Sequence, residues 1–247
     1  MSGSLRFDDE LLQNFMQRFY GYGTYAGDYW FVGMEEGGGN SFKEICQRLQ
    51  NWNGRGRVEL EDIAAYHTQI GAERYFGPQP KLQPTWNRLI RIELSAKGLD
   101  THRENVRQYQ QKNLGRHTST NCLVELLPLP SPSINHWLYA QHSQLSKLVN
   151  RKTYEDYYAP RRAEHLRQRI AEYQPKAVVF YSVDRVYMDW WRFIAGVDFI
   201  KAAECDRLYI GKTAHTVFAI ALHPVAKGVR NEYFHQVGKI ISSTAMA

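Results

Sequence analysis

Two neighbouring acids, Glu35 and Glu36, follow an apolar segment of the chain and precede three consecutive glycines. The apolar segment, residues 29–33, contains the aromatic and β-branched residues that are typical of a buried strand, and the glycines predict a turn that ends it. A carboxylate at a strand end can position a water molecule or stabilise a neighbouring positive charge. The two acids are therefore candidate catalytic groups.

An imidazole stands in the corresponding place late in the chain. His223 follows the apolar segment 216–222 and is itself followed by proline. In open parallel sheets, ligands bind beyond the carboxyl ends of the strands. We therefore expect three strand ends to meet at one edge of a sheet: Glu35 with the glycines, His223, and either Asn121 or the proline-rich residues 128–132.

The sheet itself is predicted from the pattern of the whole chain. Continuous apolar segments predict four buried strands, at residues 29–33, 118–127, 176–182 and 216–222. Apolar residues at helical spacing predict helices at 8–20, 41–50, 86–98 and 154–173, with a short helix near 59–67. Such strands alternating with helices are typical of an α/β protein, so we predict a three-layer α/β/α sandwich with a central, mainly parallel sheet.

The length of the chain suits one substantial domain, and we predict that residues 1–247 form a single domain. Residues 51–83 are polar and broken by glycine and proline, which predicts an elaborated connection. The helix at 154–173 is predicted to expose a basic side that carries Arg161, Arg162, Arg167 and Arg169.

Composition narrows the class of protein. The net charge of +6 and the pI near 9.1 favour a polyanionic partner. No apolar run is long enough to span a bilayer, and the acidic first residues lack the pattern of a signal peptide, so we expect a cytoplasmic protein with no membrane partner. Cys46, Cys122 and Cys205 are far apart, which predicts reduced, buried thiols and neither a disulfide framework nor a cysteine-rich metal site.

The order of the motifs resembles that of the uracil-DNA glycosylase superfamily. The sequence Gly33-Met34-Glu35-Glu36-Gly37 is similar to the loop that different branches write as GQDPY, GINPG or GEAPG, and His223-Pro224-Val225 is similar to the family's His-Pro-Ser motif. Three further segments are similar to two strands of the thermophilic branch and to the helix between its first two strands: residues 120–124, 174–179 and 84–99. The resemblance runs, with gaps, from about residue 29 to residue 230, and its specificity lies in the order of the motifs.

This resemblance implies a fold built like the uracil-DNA glycosylases and a monofunctional enzyme that hydrolyses the bond between a flipped-out pyrimidine and deoxyribose in DNA. Breaking this bond builds positive charge on the sugar and negative charge on the departing base. The family pattern places Glu35 as the catalytic carboxylate, with Glu36 as the alternative, and His223 as the donor to a base carbonyl. It implies no metal or organic cofactor, and the cluster-forming cysteines of the thermophilic branch are absent, which predicts no iron–sulfur cluster.

The family pattern also implies residues that bind the base. Gly33, Met34 and Gly37 belong to the first loop, and Asn121 matches the family's base-reading asparagine, although asparagines at strand ends are also common turn formers. The family places a stacking aromatic between the first loop and the following helix. Trp86 is our prediction for it, with Phe76 and Phe42 as alternatives.

The loop after His223 is the predicted contact with DNA. The family inserts a side chain from this loop into the duplex at the position of the extruded base. Lys227, Val229 and Arg230 are the predicted contacts, and Val229 or Arg230 is the predicted wedge. We expect a monomer that acts on DNA, single- or double-stranded.

Three departures from the family pattern bear on specificity. Glu36 replaces a proline, Val225 replaces the serine after His-Pro, and Gly37 replaces the tyrosine that in strict uracil enzymes would collide with a substituent on carbon 5 of the pyrimidine. Because Gly37 has no side chain, we predict a roomier pocket that takes a 5-substituted or otherwise modified pyrimidine as well as uracil.

Other interpretations of the same residues stay open. The glycine turn could cradle a phosphate, although the two acids beside it would repel one. The chain could also be a non-catalytic module that kept the fold and basic surface and senses modified or foreign DNA. If it is an enzyme, repair of the cell's own DNA and attack on modified phage DNA are equally open.

Overall fold

One eight-stranded sheet passes through the residues that the structure, a computed structural model, describes, namely 5–246. Its strands are β1 (Gly21–Gly23), β2 (Tyr29–Glu35), β3 (Leu60–Glu61), β4 (Asn121–Leu127), β5 (Ala177–Phe180), β6 (Ile200–Lys201), β7 (Tyr209–Lys212) and β8 (Val217–Ile220). Their order across the sheet is β3-β1-β4-β2-β5-β8-β7-β6.

The centre of the sheet is parallel. β4, β2, β5 and β8 are neighbours that all run in the same direction, whereas β1 and β7 run antiparallel to the central strand beside them. These four central strands are the four that the apolar segments predict, so the mainly parallel sheet is confirmed. The other strands are only two to four residues long, and the sequence pattern did not predict them.

The helices are α1 (Asp9–Arg18), α2 (Phe42–Gly54), α3 (Ile63–Gln69), α4 (Pro84–Ala96), α5 (Arg103–Lys112), α6 (Tyr139–His142), α7 (Arg151–Tyr173), α8 (Arg185–Ala195) and α9 (Asn231–Met246). α9 packs against β8 and α4, and α8 packs against β8 and α7. Helices therefore cover both faces of the sheet, and the predicted three-layer α/β/α sandwich is confirmed.

Local capping explains where the helices around the site begin. The Ser41 hydroxyl accepts a hydrogen bond from the amide of Glu44 at 3.2 Å, which starts α2 directly after the glycine turn. The Gln83 side chain caps α4 in the same way, and Pro84 occupies the first turn, where its missing N–H costs nothing. The sequence pattern did not predict four of the helices, α5, α6, α8 and α9.

The connection at 51–83 is ordered and takes part in the sheet. It contains the end of α2, the short strand β3, the helix α3 and a 3₁₀ turn at Glu73–Tyr75. β3 pairs in parallel with β1, and residues of α3 and the 3₁₀ turn face the carboxyl end of the sheet. Residues 51–83, called the insertion below, therefore form a wall beside the central strands.

The prediction of four exposed arginines on α7 is wrong for Arg162. Its side chain is only 2% exposed, and its guanidinium donates to the backbone carbonyls of Phe19, Glu125 and Leu126 at 2.8–2.9 Å. It stacks on Tyr20 at 3.7 Å from the ring centroid. Arg162 therefore connects α7 to β4 and to the end of α1. The spacing of charged residues along a helix cannot distinguish such a buried arginine from one on an exposed face.

Two smaller expectations concern thiols and membranes. Cys122 and Cys205 are buried and Cys46 is half-buried, and all three are free. Within residues 5–246, no helix combines the length and the apolar character that a membrane crossing requires.

Candidate functional site

A cavity of about 710 Å³ opens at the carboxyl ends of the central strands. Its volume lies within the range of roughly 300–1,000 Å³ that is typical of small-molecule sites. The strand ends contribute Glu35, Glu36, Glu125, Tyr181 and His223, the insertion contributes His67 and Tyr75, and α4 contributes Trp86. The loop after β4 closes the remaining side with residues 131–134.

The structure brings most of the predicted site residues to this cavity. Those that line it are Met34, Glu35, Glu36, Gly37, Trp86 and His223. Of the two alternatives for the second strand, the proline-rich loop lies at the cavity and Asn121 does not. Gly33 does not line the cavity, and its lack of a side chain leaves room for the side chains of Glu125 and Tyr181.

Glu36 is held as an ionised carboxylate. Its Oε1 lies 3.0 Å from Nη1 of Arg48 and 3.5 Å from Nε2 of His67, and the hydroxyl of Tyr22 donates to both carboxylate oxygens at 3.0 Å. Burial alone would raise the pKa of Glu36, but the charges of Arg48 and His67 and their hydrogen bonds outweigh it and lower the pKa to about 2. Oε2 accepts only from Tyr22 among the described residues, so one oxygen retains a free lone pair.

Glu35 is held differently, because it belongs to a two-point ion pair. Arg151, at the start of α7, donates from Nη1 to Oε2 at 2.8 Å and from Nη2 to Oε1 at 3.1 Å. Burial nevertheless raises the pKa of Glu35, although the hydrogen bonds and charge of Arg151 oppose this. Both oxygens of Glu35 are thus engaged by one fork-shaped cation.

Glu125, Gly33 and Tyr181 form a row across three neighbouring strands. Gly33 of β2 pairs with Glu125 of β4, and Tyr181 follows the last residue of β5, which pairs with Val32. The hydroxyl of Tyr181 reaches over Gly33 and donates to Oε1 of Glu125 at 2.6 Å. A Cβ on Gly33 would lie 2.1 Å from both Oε2 of Glu125 and Oη of Tyr181, so only glycine leaves room for this bridge.

Sequence reasoning missed Glu125 as a site residue. Burial raises the pKa of Glu125 to about 8; the Tyr181 hydrogen bond opposes this, and the negative charges of Glu36 and Glu35 reinforce it. The signal for it was present in the sequence, because Glu125 is the only charged residue within the apolar segment 118–127. A charged side chain in a predicted buried strand needs a partner or a function.

His223 is placed as a neutral hydrogen-bond donor. Its Nδ1 accepts from the backbone amide of Val225 at 3.3 Å, which assigns the ring proton to Nε2. Burial and the positive charge of Arg88 both lower the pKa of His223. Nε2 has no hydrogen-bond partner among residues 5–246, and the ring lies 5.9 Å from that of Tyr181, centroid to centroid. The imidazole N–H is therefore available to a ligand.

Trp86 forms the aromatic wall of the cavity. It meets His67 edge to face at a centroid distance of 5.1 Å, and it packs against Tyr75 and Phe76 at 5.5 Å each. Of the two alternative stacking residues, Phe76 packs behind Trp86, and Phe42 stacks on Phe7 at 4.7 Å, away from the cavity.

The glycine turn is already occupied by an internal carboxylate. The amides of Gly39 and Asn40 donate to the two oxygens of Glu44 at 2.9 and 3.0 Å. Gly39 adopts a positive φ of +71°, and a Cβ there would lie 2.3 Å from the carbonyl oxygen of Pro130. These amides are consequently not free to cradle a phosphate, which argues against a phosphate-binding loop.

Gly37 differs from the other glycines of this turn. A Cβ built on it meets no atom within 4 Å, and its φ lies outside the positive range that favours glycine. The fold therefore does not require a glycine here. Its absent side chain leaves open space at the cavity.

The prediction that Asn121 reads the base is wrong. Asn121 pairs with Tyr29 at the amino ends of β4 and β2, the opposite end of the sheet from the cavity. Its side chain is fully buried, where Oδ1 accepts from the amide of Gly115 at 2.7 Å and Nδ2 donates to Glu93 at 3.1 Å. β4 begins at Asn121 rather than ending there, and the side chain of Asn121 stabilises the preceding turn.

The predicted DNA-contacting residues lie beside the site rather than in it. Lys227, Val229 and Arg230 line a second, smaller cavity of about 330 Å³. Lys227 and Arg230 are exposed, whereas Val229 is half-buried and its carbonyl accepts from Arg88 at 3.3 Å. Val225, in the same loop, is 51% exposed and lines the main cavity.

Among residues 5–246, no group of three or more His, Cys, Asp or Glu side chains has the arrangement of a metal site. Comparison of the chain with protein-family models and with curated proteins gives no match.

Proposed function

We propose that the protein is a divergent, monofunctional DNA glycosylase of the uracil-DNA glycosylase type, which hydrolyses the N-glycosidic bond of a flipped-out pyrimidine and leaves an abasic site. The observation that carries the proposal is the meeting of Glu36 and His223 at one cavity. One is an ionised carboxylate from the early turn, and the other is a neutral imidazole with a free N–H from the late turn.

The two groups suit the two charges that develop as the bond breaks. The transition state carries positive charge on the sugar, which an ionised carboxylate stabilises. It carries negative charge on the base, which a donor such as the Nε2 proton of His223 stabilises as a carbonyl oxygen becomes an oxyanion. A pKa of about 2 makes Glu36 a weak proton acceptor, so its role is electrostatic stabilisation and the orientation of water.

Glu36 is a better candidate than Glu35 for this role. Arg151 engages both oxygens of Glu35 with two parallel hydrogen bonds, which leaves neither oxygen free to face a cationic sugar. Glu36 keeps Oε2 free of any cation, and it shares the cavity wall with Trp86 and His67. We assign to Arg151 and Glu35 the role of fixing the end of β2 against α7.

The substrate we propose is a 5-substituted or otherwise modified pyrimidine in DNA. The open space at Gly37 and the volume of the cavity accommodate a substituent on carbon 5. Trp86 provides an aromatic face for a flipped base. The net charge of +6 and the exposed Lys227 and Arg230 favour association with the phosphate backbone.

The test is a strand-cleavage assay on end-labelled oligonucleotides, single- and double-stranded. Each carries one uracil, thymine, 5-fluorouracil or 5-hydroxymethyluracil, and alkali cleaves the strand wherever a base has been removed. We expect the wild type to excise at least one 5-substituted base, and Glu36→Gln to reduce its rate by about 100-fold or more. Glu164→Gln is the matched control, because Glu164 lies on α7 outside the cavity and its side chain is 41% exposed.

The outcome also separates the roles of the two acids. Glu35→Gln should lower activity less than Glu36→Gln does. Excision of uracil alone, with all substituted bases inert, would refute the roomier pocket. A wild type that leaves every base in place would contradict the proposed activity.

A second candidate function is a non-catalytic sensor of modified or foreign DNA. The observation that favours it is the pairing of both early carboxylates with arginines, Glu35 with Arg151 and Glu36 with Arg48. A sensor would retard the migration of base-modified DNA in a gel without creating alkali-labile sites.

A further inference from the structure

The turn that carries His223 lies outside the sheet. β8 pairs with β5 and β7 as far as Ile220, and the next amide, that of Ala221, donates to the carbonyl of Phe180 at 2.8 Å. Residues 223–230 then form a loop that leads to α9. The proposed function needs the imidazole of His223 in one fixed orientation, because a donor that turns away from the base stabilises its developing charge poorly.

Two consecutive turns form this loop. The amide of Ala226 donates to the carbonyl of His223 at 2.9 Å, and the amide of Val229 donates to the carbonyl of Ala226 at 3.3 Å. Pro224 occupies the second position of the first turn, where its fixed φ is favourable. The amide of Val225 donates to Nδ1 of the imidazole at 3.3 Å, so the ring is attached to the same turn. Whatever holds this turn therefore also holds the imidazole.

Arg88, on α4, holds both turns from outside the loop. Its guanidinium donates from Nη1 to the carbonyl of Pro224 and from Nη2 to the carbonyl of Val229, the latter at 3.3 Å. The guanidinium also lies over the ring of Phe234 on α9, 5.7 Å from its centroid. Among residues 5–246, the two loop carbonyls are the hydrogen-bond partners of the Arg88 side chain, and its buried Nε has none. Arg88 thus connects α4 to one carbonyl in each turn.

Arg88 also acts on His223 by its charge. Burial lowers the pKa of His223, and the positive charge of Arg88 lowers it further. A second proton on the ring would occupy Nδ1, the atom that accepts from Val225. The ring of Tyr181, at the end of β5, lies beside the imidazole, and burial raises the pKa of this phenol and keeps it neutral. Three acids line other walls of the cavity, and each is bonded to another side chain: Glu35, Glu36 and Glu125.

We propose that Arg88 is the positioning residue of the site, which holds the turn of His223 and so directs the Nε2 proton to a base in the cavity. This inference rests on the proposed function and deepens it by naming a residue that acts through His223. The same guanidinium holds Val229, which lies between the exposed residues Lys227 and Arg230. The loop that we expect to contact the DNA backbone is therefore fixed together with the imidazole.

The first experiment observes the imidazole and requires no activity. Protein labelled with ¹⁵N in the histidine rings is titrated by NMR, and His223→Gln identifies the signals of His223. We expect the wild type to show a neutral ring with its proton on Nε2 at neutral pH. Arg88→Met should titrate at a higher pH than the wild type, because a positive charge is removed, and Arg88→Lys should shift less, because it keeps the charge. Identical His223 signals and titration in the wild type and Arg88→Met would overturn the inference.

The second experiment separates kcat from KM on a base that the wild type excises from DNA, with uracil, 5-hydroxymethyluracil and 5-fluorouracil as the candidates. Arg88→Met should lower kcat by about 10- to 100-fold, because a small displacement of the donor weakens its contact with the departing base. KM should change by less than about threefold, because Lys227 and Arg230 are retained. Arg88→Lys should recover part of kcat, since one ammonium group cannot reproduce the fork of a guanidinium.

Arg91→Met is the matched control. Arg91 lies on the same helix as Arg88 and donates to the backbone carbonyl of Thr101 at 2.6 Å, away from the loop. Its substitution removes an arginine of α4 that bonds a backbone carbonyl, as Arg88 does. We expect Arg91→Met to keep the wild-type kcat and the wild-type titration of His223.

The outcomes separate the two proposals. A kcat of Arg88→Met that equals that of the wild type, or that falls no further than that of Arg91→Met, overturns the positioning role and leaves the proposed activity intact. A wild type that excises none of the three bases overturns both. If Arg88→Met does not fold, Arg88→Lys decides, and a wild-type kcat with unchanged His223 signals in that variant overturns the inference.

Discussion

The protonated state of Glu125 should be visible in the stability of the protein, independently of any activity. The perturbation is the substitution Glu125→Gln, which keeps the shape of the side chain but cannot titrate. In the folded chain the pKa of Glu125 is about 8, against an ordinary value of 4.5. Between these two pH values the unfolded chain carries an ionised Glu125 and the folded chain a neutral one.

The magnitude follows from proton linkage. The folded state binds one more proton than the unfolded state in this window, so the free energy of unfolding contributed by Glu125 is fully present below pH 4.5 and decreases as pH rises to about 8. The difference of about 3.5 pH units corresponds to at most about 5 kcal/mol, since one unit is worth 1.36 kcal/mol. Relative to Glu125→Gln, the wild type therefore loses stability with rising pH.

The assay is urea unfolding of wild type, Glu125→Gln and the control Glu164→Gln, which lies outside the cavity, at a series of pH values from 4.5 to 9. We expect the free energy of unfolding of Glu125→Gln, minus that of the wild type, to grow by several kcal/mol from pH 5 to pH 8 and then to level off. The control should show no such change. A difference between wild type and Glu125→Gln that is the same at pH 5 and pH 8 would refute the reasoning.

Four further substitutions test the geometry around the cavity and the second strand. Gly33→Ala should destabilise the fold by roughly 1–3 kcal/mol, because its Cβ would meet Glu125 and Tyr181 at 2.1 Å, whereas Gly37→Ala should change thermal stability by less than about 0.5 kcal/mol. Asn121→Ala removes buried hydrogen bonds and should lower the free energy of unfolding by about 1–3 kcal/mol. The rate of base excision per folded molecule should stay unchanged. A loss of activity without a loss of stability would contradict the structural role of Asn121. Because the folded pKa of Glu36 is lowered to about 2, the ionised carboxylate contributes about 3 kcal/mol to the free energy of unfolding above pH 4.5, and this contribution is lost as pH falls towards 2. Glu36→Gln should therefore be less stable than the wild type by this amount at pH 6 and by much less at pH 2.5, as measured by urea unfolding. An equal difference in stability at the two pH values would contradict the ion pair with Arg48.

The sequence was sufficient to predict the architecture and to predict that Glu35, Glu36 and His223 meet at one cavity. Uninterrupted apolar segments identify parallel strands that helices cover on both faces, and the rule for ligands at strand ends then selects Glu35, Glu36 and His223. The short strands β3 and β6 could not be predicted, because two residues carry no periodicity.

The error at Asn121 has a physical cause. The apolar pattern of residues 118–127 correctly predicts that the strand ends at residue 127. The base-reading role came instead from the family resemblance, and it fell on Asn121, where β4 begins, about 20 Å from the carboxyl end of a seven-residue strand. Similarly, the pattern of charges on α7 could not identify Arg162 as buried, because its partners are backbone carbonyls from distant parts of the chain. Pairings such as Glu36 with Arg48 also depend on side-chain directions that only the fold supplies.

The most direct measurement of the central claim is the release of free base from DNA, followed by mass spectrometry, with wild type and Glu36→Gln compared at equal concentrations of folded protein. We predict that the wild type releases an intact pyrimidine together with one abasic site for each base released, and that Glu36→Gln releases base at least about 100-fold more slowly. Release of no base from uracil-containing or 5-substituted DNA by the wild type, or equal release by the two proteins, would contradict the account.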